Sequence, residues 1–286
     1  MAPDLLIDPK LNEEAKMRNG MTRLGLCLTA VLLLGAPVAA QEAFDWQGQL
    51  ETGQFVRIQG ISGDIRATAV DGAVARVEAH KRGRSSSFDD VRIVVDEGRD
   101  GVTVCAVYGQ PDRTDCDGRN GRRDYDHSDR EGRDHNIQVS VDFEVQVPAG
   151  VRLRTELVSG DVRADGLRSD VVASTVSGDV RLSTSGIAEA STVSGDIDVE
   201  MATATDHDLD FETVSGDITV YLPEDLGADV RFSSLTGDFE TDLAVSVTRR
   251  RDGLVGSSVR GQLGGGGARL SFSTVSGNVE LRRLRE

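Results

Sequence analysis

The sequence predicts an all-β protein, a β-helix-like solenoid with rungs of about 20 residues preceded by an irregular β region. Three observations carry this. Apolar and polar residues alternate with period two in many short runs. A Val-Ser-Gly-Asp turn recurs at nearly constant spacing after residue 150. Helical periodicity is almost absent beyond residue 40.

Residues 1–40 read as an upstream extension followed by an export signal. Arg18 and Arg23 give a positive start, and Leu24 to Leu34 form an apolar run. Val38-Ala39-Ala40 supplies the small residues that a signal peptidase accepts. The run is shorter than the roughly 20 apolar residues a membrane span needs. Cleavage after Ala40 is therefore expected, with no membrane span remaining. Cys27 lies inside the apolar run, which does not suit a lipoprotein attachment site.

Residues 41–150 alternate in the manner of strands, as in Val91-Arg92-Ile93-Val94-Val95 and in Ile137 to Val145. Val, Ile and Thr are frequent, and they suit a half-buried pleated surface. Between these strands, residues 109–136 hold seven Asp, one Glu and six Arg. With so few apolar side chains, this stretch cannot offset the entropy of ordering, and it reads as a mobile charged loop. Beyond Ala40 only Cys105 and Cys116 remain. In an oxidising compartment such a pair closes, so a Cys105–Cys116 disulfide is expected at the loop's base.

Residues 151–286 form the repeat region. The turn pairs are Gly160-Asp161, Gly178-Asp179, Gly195-Asp196, Gly216-Asp217, Gly237-Asp238 and Gly277-Asn278. An outlying copy, Ile61-Ser62-Gly63-Asp64-Ile65, precedes them. From Gly160 onward the glycines are 18, 17, 21, 21 and 40 residues apart. The last interval is about two repeats, which predicts a degenerate rung near residues 253–267. In each rung Gly permits a positive φ, and Asp accepts hydrogen bonds from backbone N–H groups at the turn. The flanking Val and Ile residues are expected to point inward and stack rung on rung.

These repeats resemble DUF4097, a bacterial candidate-adhesin family of unknown function. The resemblance rests on the Thr-Val-Ser-Gly-Asp-Val repeats and on Gly261-Gln262-Leu263-Gly264-Gly265-Gly266-Gly267-Ala268-Arg269-Leu270. It rests also on Val145-Gln146-Val147-Pro148-Ala149-Gly150-Val151, and it covers roughly residues 44–286. It implies a β-helix-like solenoid in an exported or envelope protein. It transfers no catalytic residue and no cofactor. The charged loop departs from the family pattern and reads as an insertion.

The formal net charge of -16 repels phosphate backbones, so nucleic acid is excluded as a partner. Asp161, Asp179, Asp196, Asp217 and Asp238 would line one edge of the solenoid. Calcium binding there competes with plain turn-building, and the calcium β-roll signature Gly-Gly-x-Gly-x-Asp is missing, since Arg269 stands where its Asp would be. Asp112, Asp115, Asp117, Asp124 and Asp126 of the loop lack EF-hand spacing. His80, His127, His135 and His207 show no zinc spacing. No serine sits in a nucleophile elbow. The expectation is a non-catalytic adhesin-like or scaffold protein in the periplasm or at the cell surface, with no cofactor. Its partner would be an unknown protein or glycan of the envelope. A calcium- or glycan-binding module is the alternative, followed by a polysaccharide lyase-type enzyme.

Overall fold

The computed structural model describes residues 43–83, 85–109, 114–117, 138–203, 207–253 and 256–284. Residues 1–42, where an export signal is expected, and most of the charged loop lie outside the described residues. The chain starts with β1 (Ala43–Gln49), β2 (Phe55–Gln59), β3 (Ile65–Val70) and β4 (Val74–Gly83). A 3₁₀ turn, Ser85–Asp90, leads to β5 (Val91–Gly98), β6 (Gly101–Tyr108), β7 (Val139–Pro148) and β8 (Arg152–Glu156). The repeats follow as β9 (Val162–Leu167), β10 (Val171–Ser174), β11 (Val180–Thr184), β12 (Ala188–Ser191) and β13 (Ile197–Met201). Next come β14 (Leu209–Glu212), β15 (Ile218–Leu222), β16 (Ala228–Thr236) and β17 (Phe239–Thr241). The chain closes with β18 (Val245–Asp252), β19 (Ser257–Leu263), β20 (Ala268–Ser276) and β21 (Val279–Arg283).

These strands form two sheets. The first has the order β1-β4-β7-β3-β9-β11-β13-β15-β21-β17. The second has the order β18-β19-β16-β20-β14-β12-β10-β8-β2-β6-β5. Each Ser-Gly-Asp turn carries the chain from the second sheet to the first, and a short return carries it back. Successive strands therefore pair in parallel, as β8-β10-β12 and β9-β11-β13 do. β2 and β3 join the same ladders, pairing in parallel with β8 and β9. Strands before residue 151 thus share both sheets with the repeats. Antiparallel pairs flank the parallel ladders: β1-β4-β7 and β5-β6 at one end, β16-β19-β18 at the other.

Period-two alternation sets the core. In β11, Val180, Leu182 and Thr184 are buried while Arg181 is exposed. Facing rows from the two sheets interdigitate into one hydrophobic core. In the second sheet, small residues at Ala173 and Ala190 give way to Phe211 and Phe272, whose rings stack 5.4 Å apart. Phe232 meets Phe239 at 5.5 Å.

Two features differ from the sequence expectation. The 40-residue interval holds no degenerate rung. Its middle is the antiparallel hairpin β18–β19, which extends the second sheet beyond β16. The final rung also sits out of sequence order. β20 lies between β14 and β16, and β21 between β15 and β17. The hairpin spans the length that an extra rung would have used, and the chain then returns one place back in the stack.

Candidate functional surface

The recurrent turn builds one corner of the solenoid. In spatial order its glycines are Gly63, Gly160, Gly178, Gly195, Gly216, Gly277 and Gly237. The serines are bridged in parallel in the same order, from Ser62 through Ser159, Ser177, Ser194 and Ser215 to Ser276. A Cβ added at Gly178 would lie 2.0 Å from the Gly160 carbonyl oxygen, and φ there is +147°. The same close approach recurs on each rung from Gly160 to Gly237, at 1.8–2.0 Å. Glycine is thus required both for backbone angle and for the spacing between rungs.

The Asp residues form a relay. Each carboxylate accepts a hydrogen bond from the backbone N–H of the next rung's turn, not of its own. Asp179 N–H donates to Asp161 Oδ1 at 2.9 Å, Asp196 N–H to Asp179 at 3.0 Å, and Asp217 N–H to Asp196 at 2.9 Å. Asn278 N–H donates to Asp217 at 2.7 Å, and Asp238 N–H to Asn278 Oδ1 at 3.0 Å. Asp161 N–H donates to Asp64, and Asp64 N–H to Asp142. One oxygen of each relay side chain is therefore committed to the fold. Asn278 does the same work without charge.

The residue before each Ser corrects the expectation that both flanking apolar positions point inward. The position after Asp is inward: Ile65, Val162, Val180, Ile197, Ile218 and Val279 are buried. The position before Ser is outward. Ile61, Val158, Val176, Val193, Val214, Val275 and Leu235 are between 44 % and 52 % exposed. In the three middle rungs the inward place at this corner goes to the preceding Thr, whereas Leu157 takes it before Val158 and Ser234 before Leu235. Thr175, Thr192 and Thr213 are buried, and their hydroxyls donate to the carbonyls of Gly160, Gly178 and Gly195. Those carbonyls point along the stack toward the next rung's glycine, and the threonine hydroxyl gives each a hydrogen-bond partner that an aliphatic side chain would not. The displaced aliphatic residues form an external file, one per rung, beside the bridged serines. The corner therefore presents three parallel files: aliphatic, serine and carboxylate. The repeat signals the file in the sequence, but only the corner's geometry shows which way it faces.

Cys105 and Cys116 are bonded, with Cα atoms 5.7 Å apart. With Val94 and Val107 they make a small apolar cluster separate from the main core. Of the loop carboxylates named above, Asp115 and Asp117 are described; Asp112, Asp124 and Asp126 lie outside the described residues, as do His127 and His135.

Other groupings arise from strand register. Glu78 and His80 on β4 meet Glu144 on β7, with potential ligand atoms within 4.8 Å of one another. Glu78 is directly opposite Glu144 across the pair, and Arg76 Nε already holds its Oε1 at 2.9 Å. Sequence spacing hides this group because it forms across an antiparallel pair. A depression of about 180 Å³ on the second sheet is lined by Arg152, Arg154, Glu189 and His207 among others. Burial raises the Glu189 carboxyl above its usual range, with Asp210 adding to this and Arg154 opposing it. Depressions of about 220 and 270 Å³ lie on the first sheet's side. All three are smaller than the roughly 300–1,000 Å³ typical of small-molecule sites. Among the described residues no helix is long and apolar enough to cross a membrane.

The solved structures to which the chain is similar include a candidate cell adhesion protein from Clostridium sporogenes. That match has 8% identity over 85% of this chain and 100% of that one, with a TM-score of 0.43. A candidate adhesin from Bacteroides fragilis matches at 12% identity over 84% and 97%, with a TM-score of 0.36. A candidate lipid binding protein from Parabacteroides distasonis matches at 12% identity over 86% and 98%, with a TM-score of 0.25. No curated protein matches. The family model described as Toastrack DUF4097 matches residues 119–282, more than half of the chain. That span runs through β7 to β21 and contains every turn from Gly160 to Gly277. Six of the seven stacked turns fall within the matched residues, and the chain belongs to the Toastrack DUF4097 family.

Proposed function

We propose that the protein is an exported, non-catalytic adhesin-like or scaffold protein of the cell envelope, acting in the periplasm or at the cell surface. The observation that carries this reading is the corner of the solenoid. Seven aliphatic residues stand outward in register beside serine and carboxylate files. An exposed apolar file repeated on every rung is costly to leave in water, and contiguous exposed apolar surface of this kind marks interaction sites. The disulfide suits an oxidising compartment. Removal of residues 1–40 on export, and the division at residue 150, belong to the same reading. The partner is a protein or glycan of the envelope, and no cofactor takes part.

Capture from envelope extracts tests this. The parent and a Val176→Ser, Val193→Ser, Val214→Ser variant are immobilised side by side. The reading expects envelope components retained by the parent and lost from the variant, with both showing the same strand signal by circular dichroism. Equal retention by the two would contradict it.

A further inference from the structure

A second surface lies at the far end of the second sheet, on the hairpin that fills the 40-residue interval. Arg260 of β19 stands directly opposite Arg249 of β18 on one side and Arg231 of β16 on the other. Directly opposed residues share a face, so the three guanidinium groups form a row across three adjacent strands. Arg251 lies two residues along β18, opposite Ser258. All four arginines are exposed. Among the described residues, no carboxylate lies within ion-pair reach of any of them. Like charges directly opposed across strands are destabilising.

The first sheet shows what compensation looks like in this protein. Arg66, Arg163 and Arg181 also stand opposite one another, across β3, β9 and β11. There each has its own carboxylate: Asp64 at 3.3 Å, Asp165 at 2.8 Å and Asp179 at 2.9 Å. The fold thus neutralises one arginine row and leaves the other open, in a chain whose net charge is -16. Keeping an edge strand charged to block edge-to-edge pairing accounts for Arg249 and Arg251 on β18. It does not account for Arg260 and Arg231, which lie on paired inner strands.

The neighbours of the open row point to the ligand. Asp229, two residues along β16 from Arg231, already accepts from Gln262 Nε2 at 3.0 Å, and Asp208 holds Arg269 at 3.2 Å. The other outward positions beside the row are hydroxyls: Ser258 opposite Ser233, and Ser271 opposite Arg231. Among the described residues of β18 and β19, Val247, two residues from Arg249, is the one exposed large aliphatic side chain, and it pairs with Gly261 on the inward register rather than with the arginine row. Guanidinium groups bind carboxylate and sulfate in bidentate fashion, and hydroxyls suit sugar hydroxyls.

We propose that the Arg231–Arg260–Arg249 row, with Arg251, is a binding site for an anionic polysaccharide bearing carboxylate or sulfate groups. This rests on the adhesin-like reading and names a ligand class and a site for it. The test measures binding of heparin and alginate oligosaccharides to the purified protein at low and at elevated salt. Neutral dextran, phosphatidylglycerol vesicles and duplex DNA serve as comparison ligands. The expected result is binding of at least one anionic oligosaccharide that weakens with salt. The triple variant R231Q/R249Q/R260Q is expected to bind it at least tenfold more weakly. The matched variant R66Q/R163Q/R181Q is expected to keep parental affinity. Equal loss in both variants, no loss in the first, or no binding by the parent would overturn the proposal. Equal or tighter binding to vesicles or DNA would overturn the assignment to glycan. Failure here, with envelope capture through the aliphatic file intact, would leave the adhesin-like reading standing. Capture lost from both would remove the two together.

Discussion

Replacing Gly178 with alanine perturbs the solenoid where its rungs come closest. The new Cβ would sit 2.0 Å from the Gly160 carbonyl oxygen and 2.5 Å from its carbon. Relief needs roughly 1 Å of separation between two rungs. The hydrogen bonds spanning that gap are Gly160 N–H to Ser177 O, Asp179 N–H to Asp161 Oδ1 and Val162 N–H to Asp179 O, each 2.9 Å. Weakening two or three of these costs about 1 kcal/mol apiece. A side chain at φ +147° adds about 1–3 kcal/mol of backbone strain. The sum is about 3–6 kcal/mol, which for a domain of this size lowers Tm by about 10 °C or more. Gly72→Ala is the matched comparison, because its φ is +94° but nothing lies within 4 Å of the added Cβ. It should show the strain alone. Thermal unfolding followed by far-UV circular dichroism reads both. If Gly178→Ala is no less stable than Gly72→Ala, the close-approach argument is refuted.

Three further outcomes are expected. Asp196→Asn keeps an acceptor for the Asp217 N–H, as Asn278 does for Asp238, and should stay within about 0.5 kcal/mol of the parent by denaturant unfolding. Asp196→Ala removes that acceptor and should cost about 1 kcal/mol by the same measurement. Reducing Cys105–Cys116, which closes a short loop, should cost about 2–3 kcal/mol. The faster hydrogen exchange should appear in β5 and β6 and spare β11 and β13, because the bond sits in its own small cluster. Burial pushes the Tyr108 phenol up to about 12, and its hydroxyl donates to the Ser62 carbonyl. The folded protein therefore favours the protonated phenol. Its contribution is whole below pH of about 10 and is lost as pH climbs toward about 12. Tyr108→Phe should lose less stability than the parent over that window, as read by denaturant unfolding at stepped pH.

Much of the fold is legible in the sequence because each rung repeats the same local chemistry. Gly and Asp at a fixed offset announce the turn, and alternation announces the strands around it. Cys105 and Cys116 announce their bond because no other cysteine follows residue 40. What the sequence hides is set by three-dimensional order. Nothing local says that Val176 faces out while Val180 faces in; that depends on Thr175 taking the inward place to satisfy a carbonyl from the neighbouring rung. Nothing local places Gly277 between Gly216 and Gly237, because the order of rungs is a choice between distant parts of the chain. The arginine row is hidden for the same reason. Three consecutive arginines, Arg249 to Arg251, break the apolar–polar alternation that announces a strand, yet they lie on β18, whose register brings Arg249 beside Arg260 and Arg231.

The account depends on seven turns stacked in one file, with the final turn of the chain in sixth place. Oxidative cross-linking of paired cysteines tests that order directly. Ser215 and Ser276 are bridged neighbours, so their Cα atoms lie within the roughly 4.4–6.8 Å that a disulfide spans. Thr236 pairs with Ser276 from the other side, which puts it two rungs from Ser215 and beyond about 7 Å. Ser215→Cys with Ser276→Cys should close in the folded protein under mild oxidation, while Ser215→Cys with Thr236→Cys should not, as read by peptide mass after digestion. Closure of the second pair and not the first would contradict the stack.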